Sequence, residues 1–554
     1  MKTSVFITFR NAANSFNETS ASQKELLLNQ CALVKPATVS EIAAYHDALL
    51  FSLAYPESEK LQSLAFNEIQ RLTSLLKSVS PEKQGKLILS GIFNTQTDAA
   101  FSFSLTKWLI AEYKEAVSLH SFDESGTHPK DVLKYVFPEM EFEILSDEKL
   151  SAGKWIEKVS NTKNKHKQLA WLINQLGNLN VPELLSDQLF ESLNAYITIN
   201  GSDKKFSRSF GKIQFSRTHY HSSGILKKFN EQEVINSKLP APKKLTDNQK
   251  QEIINVSRTA LALLNRETDP VTYCNMDGLL YYELEHGLSI ALFSMLPERR
   301  LPIESYIGFM MFKNGYPMAY GGGWLFGSRS LLGINIFEAF RGGESAFVFA
   351  QLLRTYKQAF GADYFEVEPY QFGKNNPEGI KSGAFWFYYR FGFRPVDATL
   401  SELSKAEQLK ISNDKTYRTP VEILKKFATG NVAALFGNGI KPLNPSLISK
   451  YITQKISKDY NGDRKHVELL SKKYIVKTFS LKGESLKKNQ AGINKLAVFI
   501  FLCIDAGKMS KEGINQLKSL IVLKSSLEVD YIKQLKKVNL KKVLTKECLD
   551  FISC

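Results

Sequence analysis

The chain has 554 residues, 43% of them apolar, and a formal net charge of +16 at pH 7, enough for about three to four domains with ordinary packed cores. Five cysteines (Cys31, Cys274, Cys503, Cys548 and Cys554), with no Cys-x-x-Cys pair and no repeating framework, speak against a disulfide scaffold and for a reducing compartment. The longest apolar run, 496–504, has nine residues against roughly 20 for a membrane span, and the apolar stretch 5–9 is too short for the core of a secretion signal. No transmembrane segment is expected, and the expected location is the cytoplasm.

In chain order, residues 40–79 read as two helices. Ser40 is the expected N-cap of the first, Ile42, Tyr45, Leu49 and Leu53 share its face, and Pro56 ends it. Leu61, Leu64, Ile69, Leu72, Leu76 and Val79 mark the second, so the pair should fold as an antiparallel hairpin. The stretch 86–108, with its Phe101-Ser102-Phe103-Ser104 alternation, carries no assignable chemistry. Helices are expected at 153–160, 167–178 and 182–196, which makes the first 200 residues mainly α. A polar, basic segment, 200–244, ends in Leu239-Pro240-Ala241-Pro242 and reads as a linker.

A helix is expected at 246–265, then strands at 288–295, 305–313 and 316–326. Asn314-Gly315 joins the last two and is a strong hairpin signal, because both residues accept positive φ. A further strand, 332–337, leads through Arg341-Gly342-Gly343-Glu344-Ser345-Ala346 into a helix at 347–360. A strand that delivers a glycine turn into a helix presents unpaired N–H groups at the positive end of the helix dipole, a site suited to phosphate. Strand character returns at 363–369, where a period of two would put Glu366 and Glu368 on one face as candidate bases, with Glu338 a third. After Asp397 the pattern is helical, with Thr419-Pro420 opening a helix that Gly430 closes.

Residues 451–554 hold 21 Lys or Arg against 10 Asp or Glu. Such a surplus can attract nucleic acid, an anionic lipid surface or an acidic protein, or can simply solvate helix faces. Because the core motif lies far upstream, this region is expected to be removable without unfolding the rest. His219 and His221 lie two apart with no third ligand in view, and no metal is expected.

Residues 288–397 resemble the acyl-CoA-binding core of the GNAT N-acetyltransferase superfamily. Its pyrophosphate loop reads Arg or Gln, any two residues, Gly, any residue, Gly or Ala at the mouth of a helix. Arg341 matches the first position and Ala346 the last, while Glu344 stands in place of the middle glycine. A carboxylate there would repel a pyrophosphate at close range unless it turns away. The run 384–393 resembles the family's Ala-x-x-x-Tyr followed four residues later by Gly-Phe, with Lys381 where an asparagine often precedes it.

The resemblance implies an α+β fold: a central GNAT-like mixed sheet with helices (241–400), flanked by mainly helical amino-terminal (1–240) and basic carboxyl-terminal (401–554) domains. It implies an acyltransferase that moves an acyl group from acetyl-CoA, another acyl-CoA or a carrier-protein thioester to an amine acceptor. Arg341, Gly342, Gly343, Glu344, Ser345 and Ala346 would hold the cofactor, and Tyr388 would protonate the departing thiolate. The size of the flanking domains points to an acceptor larger than a free metabolite. Two other readings stand beside this one: a non-catalytic GNAT-like scaffold whose basic region binds an anionic partner, and a membrane-surface lipid acyltransferase.

Overall fold

The computed structural model describes residues 4–146, 149–437 and 442–553. Its amino-terminal helices follow the apolar spacing, with one shifted boundary. Thr38 rather than Ser40 caps Val39–Ala54, because the Thr38 hydroxyl accepts from the Glu41 N–H while the Glu41 carboxylate accepts from the Thr38 N–H. Ser40 has an alanine three residues on and cannot make that reciprocal box. Ser58 caps the second helix, Glu59–Leu75, which folds back so that the Tyr45 hydroxyl donates to Glu68 at 2.6 Å.

The next stretch adds three short strands to the mainly helical pattern. Three strands, β1 (Thr97–Ala100), β2 (Val117–Phe122) and β3 (Ala195–Ile199), form an antiparallel sheet in the order β1-β3-β2. They are four to six residues long, too short for alternation to stand out against helical neighbours. Ser102, in the aromatic and serine run, is the N-cap of Phe103–Tyr113. This part packs around its own core, including Trp155 and Leu172, whereas Phe6 through Ile92 share a core with the central sheet. Residues on both sides of the expected boundary at 240 therefore contribute to one core.

The basic segment after β3 has little regular structure beyond the helix Glu231–Asn236, yet it is fastened along its length. The Ile213 N–H donates to the Gly315 carbonyl at 3.0 Å, the His221 N–H to the Pro56 carbonyl at 2.7 Å and the Leu226 N–H to the Glu344 carboxylate at 2.8 Å. It is a strap that ties the amino-terminal helices to the central sheet, in place of the free linker that its composition suggested.

The central sheet has eight strands: β4 (Leu280–Glu283), β5 (Leu288–Phe293), β6 (Ser305–Lys313), β7 (Tyr316–Phe326), β8 (Arg329–Ile336), β9 (Tyr364–Val367), β10 (Arg394–Pro395) and β11 (Val432–Leu435). Their order is β10-β11-β9-β8-β7-β6-β5-β4, antiparallel throughout except for β8 with β9. Asn314 and Gly315 make the β6–β7 turn with φ of 48° and 85°, the pair of positive angles that a two-residue hairpin of this twist requires. β11 falls where only helices were expected, beyond the boundary drawn at 400, and sits between β9 and β10.

β6 is buried along almost its whole length, with an apolar run from Ile307 to Phe312, because both faces are covered. On one face helix Ser345–Phe360 places Tyr356 where its hydroxyl donates to the Ile307 carbonyl at 2.7 Å. On the other, Pro270 lies against Gly308, where an added Cβ would stand 2.8 Å from it.

The carboxyl-terminal helices dock through buried charge. Arg300 donates to the carbonyls of Lys524 (2.6 Å) and Ser526 (2.8 Å), and Lys524 donates to the Glu304 carbonyl (2.8 Å) and pairs with Glu528 (3.2 Å). These contacts tie the tail to the central sheet and weigh against the expectation that it can be removed without unfolding the rest. Among the described residues no helix is long and apolar enough to cross a membrane.

Candidate active site

β8 and β9 begin side by side, Arg329 with Tyr364, Ser330 with Phe365 and Leu331 with Glu366, and then part. β8 runs on to Ile336. β9 stops at Val367, because Pro369 has no N–H for a ladder and restricts the residue before it. Residues 332–336 are left without a strand on that side, and a cavity of about 610 Å³ opens there, lined by Ile334, Asn335, Arg341, Ser345, Gln371, Lys381 and Tyr388 among others.

The loop from Arg341 to Ala346 forms one wall, and its two sides differ. Arg341 and Ser345 line the cavity, and the helix Ser345–Phe360 begins with no side-chain cap, so its first-turn N–H groups carry the positive end of the dipole into that space. Gly342 has φ of 91°, a backbone shape that side chains resist. At Gly343 an added Cβ would meet the Tyr55 hydroxyl at 2.9 Å, so the amino-terminal helices pack directly on the back of the loop.

Glu344 belongs to that back. It is 2% exposed and does not line the cavity. One carboxylate oxygen accepts from the Leu226 N–H at 2.8 Å and the other from Lys313 Nζ at 2.5 Å. Lys313 also donates to the His286 carbonyl and lies 4.4 Å from the centre of the Tyr55 ring. Burial pushes the Lys313 ammonium down to about 8, against the pull of Glu344. His221 and His286 both pack edge-on against His219 beside this pair. The Glu344 carboxylate is thus ion-paired behind the loop, and the expectation that it contacts the cofactor beside Arg341 and Ser345 does not match this geometry.

Tyr388 lines the cavity. Its hydroxyl donates to Gln371 Oε1 at 3.2 Å, and the same oxygen accepts from the Ile334 N–H at 3.3 Å. Burial pushes the phenol up, so it holds its proton at neutral pH. Gln371 occupies the gap as a paired strand would, and its only mark in the sequence is its place two residues after Pro369.

The expected bases separate. Glu366 is held by Arg329, with both Nε and Nη2 at 2.9 Å, and by Asn431 Nδ2 at 2.6 Å, and it lines a different cavity. Glu368 is exposed beyond the end of β9, so no shared strand face joins the two. Glu338 sits in the turn Glu338–Phe340 and lines a second hollow of about 280 Å³, which shares Asn335, Ile336, Arg341 and Glu378 with the first. Between the two spaces Arg341 pairs with Glu378 at 3.1 Å.

The chain matches no family model, no curated protein and no solved structure. The chemistry is accordingly read from the groups present. Arg341, Lys381 and a helix mouth supply a place for an anion, and an amide N–H and a protonated phenol face the strand gap. Among the described residues no group of three or more His, Cys, Asp or Glu is placed to hold a metal.

Proposed function

We propose that this chain is a GNAT-type N-acyltransferase that binds an acyl-CoA between the diverging ends of β8 and β9. The observation that carries the reading is the parting of this parallel pair directly beside a strand-loop-helix turn, because that gap is what admits pantetheine while the helix mouth takes the pyrophosphate. Arg341 and Lys381 supply positive charge to the phosphates. The Ile334 N–H is released once Gln371 withdraws, and it then polarises the thioester carbonyl. Withdrawal breaks two neutral hydrogen bonds, each worth about 1 kcal/mol. Tyr388, protonated at neutral pH, donates to the departing thiolate.

Titration of acetyl-CoA into the full chain by calorimetry tests the donor site. Binding is expected to weaken about 10-fold in Arg341→Ala. Tyr388→Phe should keep the dissociation constant and lower the rate of thiol release. No heat with the unsubstituted chain removes the acyl-CoA reading. Binding without acyl transfer to any amine would leave a non-catalytic scaffold.

A further inference from the structure

The second hollow bears on the acceptor. It lies on the other side of the Arg341–Glu378 pair from the donor cavity, and its walls come from parts of the chain that showed no chemistry in sequence: Asp47 of helix Val39–Ala54, Arg208 of the strap, and Arg266 after helix Asp247–Ala262. Arg208 and Asp47 satisfy each other at 2.9 Å. Glu338 and Arg266 remain. Both are exposed, neither forms an ion pair among the described residues, and they carry opposite charges in one space of about 280 Å³.

We propose, on the basis of the acyl-CoA reading above, that this hollow binds the acceptor and that the acceptor is a compact zwitterion, with an amine and a carboxylate on one small skeleton, as in a free α-amino acid. Arg266 takes the carboxylate and Glu338 the amine. A simple alkylamine would leave Arg266 unmatched, and a polyamine would bring a second cation against Arg266, the one guanidinium of the hollow without an acidic partner among the described residues. The acceptor is then a small one, in contrast to the large substrate that the size of the flanking domains suggested.

The ammonium of the acceptor gives one proton to Glu338, and the freed lone pair forms the C–N bond at the thioester carbonyl carbon. The C–S bond breaks with its electron pair moving to sulfur, and Tyr388 supplies the proton that completes the CoA thiol. The second amine proton restores the phenol through solvent, and Glu338 releases its proton to water. The products are an amide, free CoA and one proton.

The test offers the full chain acetyl-CoA with each common α-amino acid and, in parallel, the amine that remains when its carboxylate is removed, following thiol release with a thiol-reactive dye. At least one amino acid should turn over about 10-fold faster than its decarboxylated counterpart. Arg266→Ala should abolish that preference by raising KM for the amino acid, with the calorimetric affinity for CoA unchanged. Glu338→Gln should lower kcat and recover part of it at higher pH, where the ammonium loses its proton without help. Equal or faster turnover of the decarboxylated amines overturns the proposal, as does CoA binding with no amino acid turned over. Absence of CoA binding overturns the donor reading as well, so the two failures are distinguishable.

Discussion

The two sides of the loop from Arg341 to Ala346 carry charges three residues apart with opposite fates. On the cavity side, Arg341 pairs with Glu378 while their side chains remain 55% and 77% exposed; on the buried side, Lys313 and Glu344 pair at 0%. Water screens the first pair and competes for it, so it holds little energy and yields readily to a ligand. The second pair has no such alternative, and removing one member strands the other. Solvent access, not residue type, decides which acid near the loop can meet a substrate and which one only holds the loop in place.

The largest effect should come from the other buried node, which repeats the arrangement of Lys313 and Glu344 at a domain junction. Burial pushes Lys524 down to about 8 beside Glu528, and Arg300 is fully buried between them and the sheet. Arg300→Ala should cost about 3 to 5 kcal/mol in urea unfolding, and removal of residues 451–554 should abolish cooperative unfolding. A truncated chain with an unchanged midpoint would show that this node is no stronger than the surface pair at Arg341.

Glu344→Ala should cost somewhat less, about 2 to 4 kcal/mol, because Lys313 can shed its proton close to neutral pH and relieve the stranded charge. Glu344→Gly should bring the same loss and no gain in CoA affinity, since the carboxylate does not face the cavity. A double variant, Lys313→Met with Glu344→Gln, should unfold closer to the unsubstituted chain than either single variant does. Tighter CoA binding in Glu344→Gly would place the charge on the cavity side after all.

What the sequence disclosed and what it hid follow the same division. Asn314-Gly315 and the strand-loop-helix turn are set by local sequence, and they stand where it puts them; Tyr388, which only the resemblance singled out, lines the cavity. The direction of Glu344 is set by Lys313, 31 residues away, and no periodicity carries that. Gln371 acquires its place only because β9 ends at Val367, and β11 is four residues long in a helical context. Asp47 and Arg208 reach the second hollow through the packing of the amino-terminal helices and strap, which no short motif encodes.

His221 probes the buried side by pH. Burial, with Lys313 nearby, pushes its imidazole down to about 3 from an ordinary 6.5. The unfolded chain therefore binds a proton that the folded chain refuses, so this contribution to stability is whole above pH 6.5 and is lost as pH falls toward 3. At pH 5 the loss is on the order of 1 to 2 kcal/mol. His221→Phe should narrow the difference in Tm between pH 7.5 and pH 5, an interval chosen to bracket the ordinary histidine range. His46 and His219 are lowered in the same direction and keep part of the slope. An unchanged difference in Tm would mean that His221 does not sense the buried charge.

Glu378→Ala is the gentlest probe and the one that separates the two sides most cleanly. The pair with Arg341 is exposed and reaches across the boundary between the two hollows, so its loss should move the unfolding midpoint by less than about 1 kcal/mol. Its effect on binding should be larger than its effect on folding. With Glu378 gone, Arg341 no longer has to leave a carboxylate before meeting a phosphate, and one negative charge is removed from the edge of the cavity. CoA affinity should therefore rise several-fold at low ionic strength, and the gain should fade as salt screens both versions of the site. A rise that persists at high salt would point to steric blockage by the Glu378 side chain rather than to its charge. A fall in affinity would show that Glu378 holds Arg341 in its binding orientation, and the cavity side of the loop would then be as preassembled as its buried side.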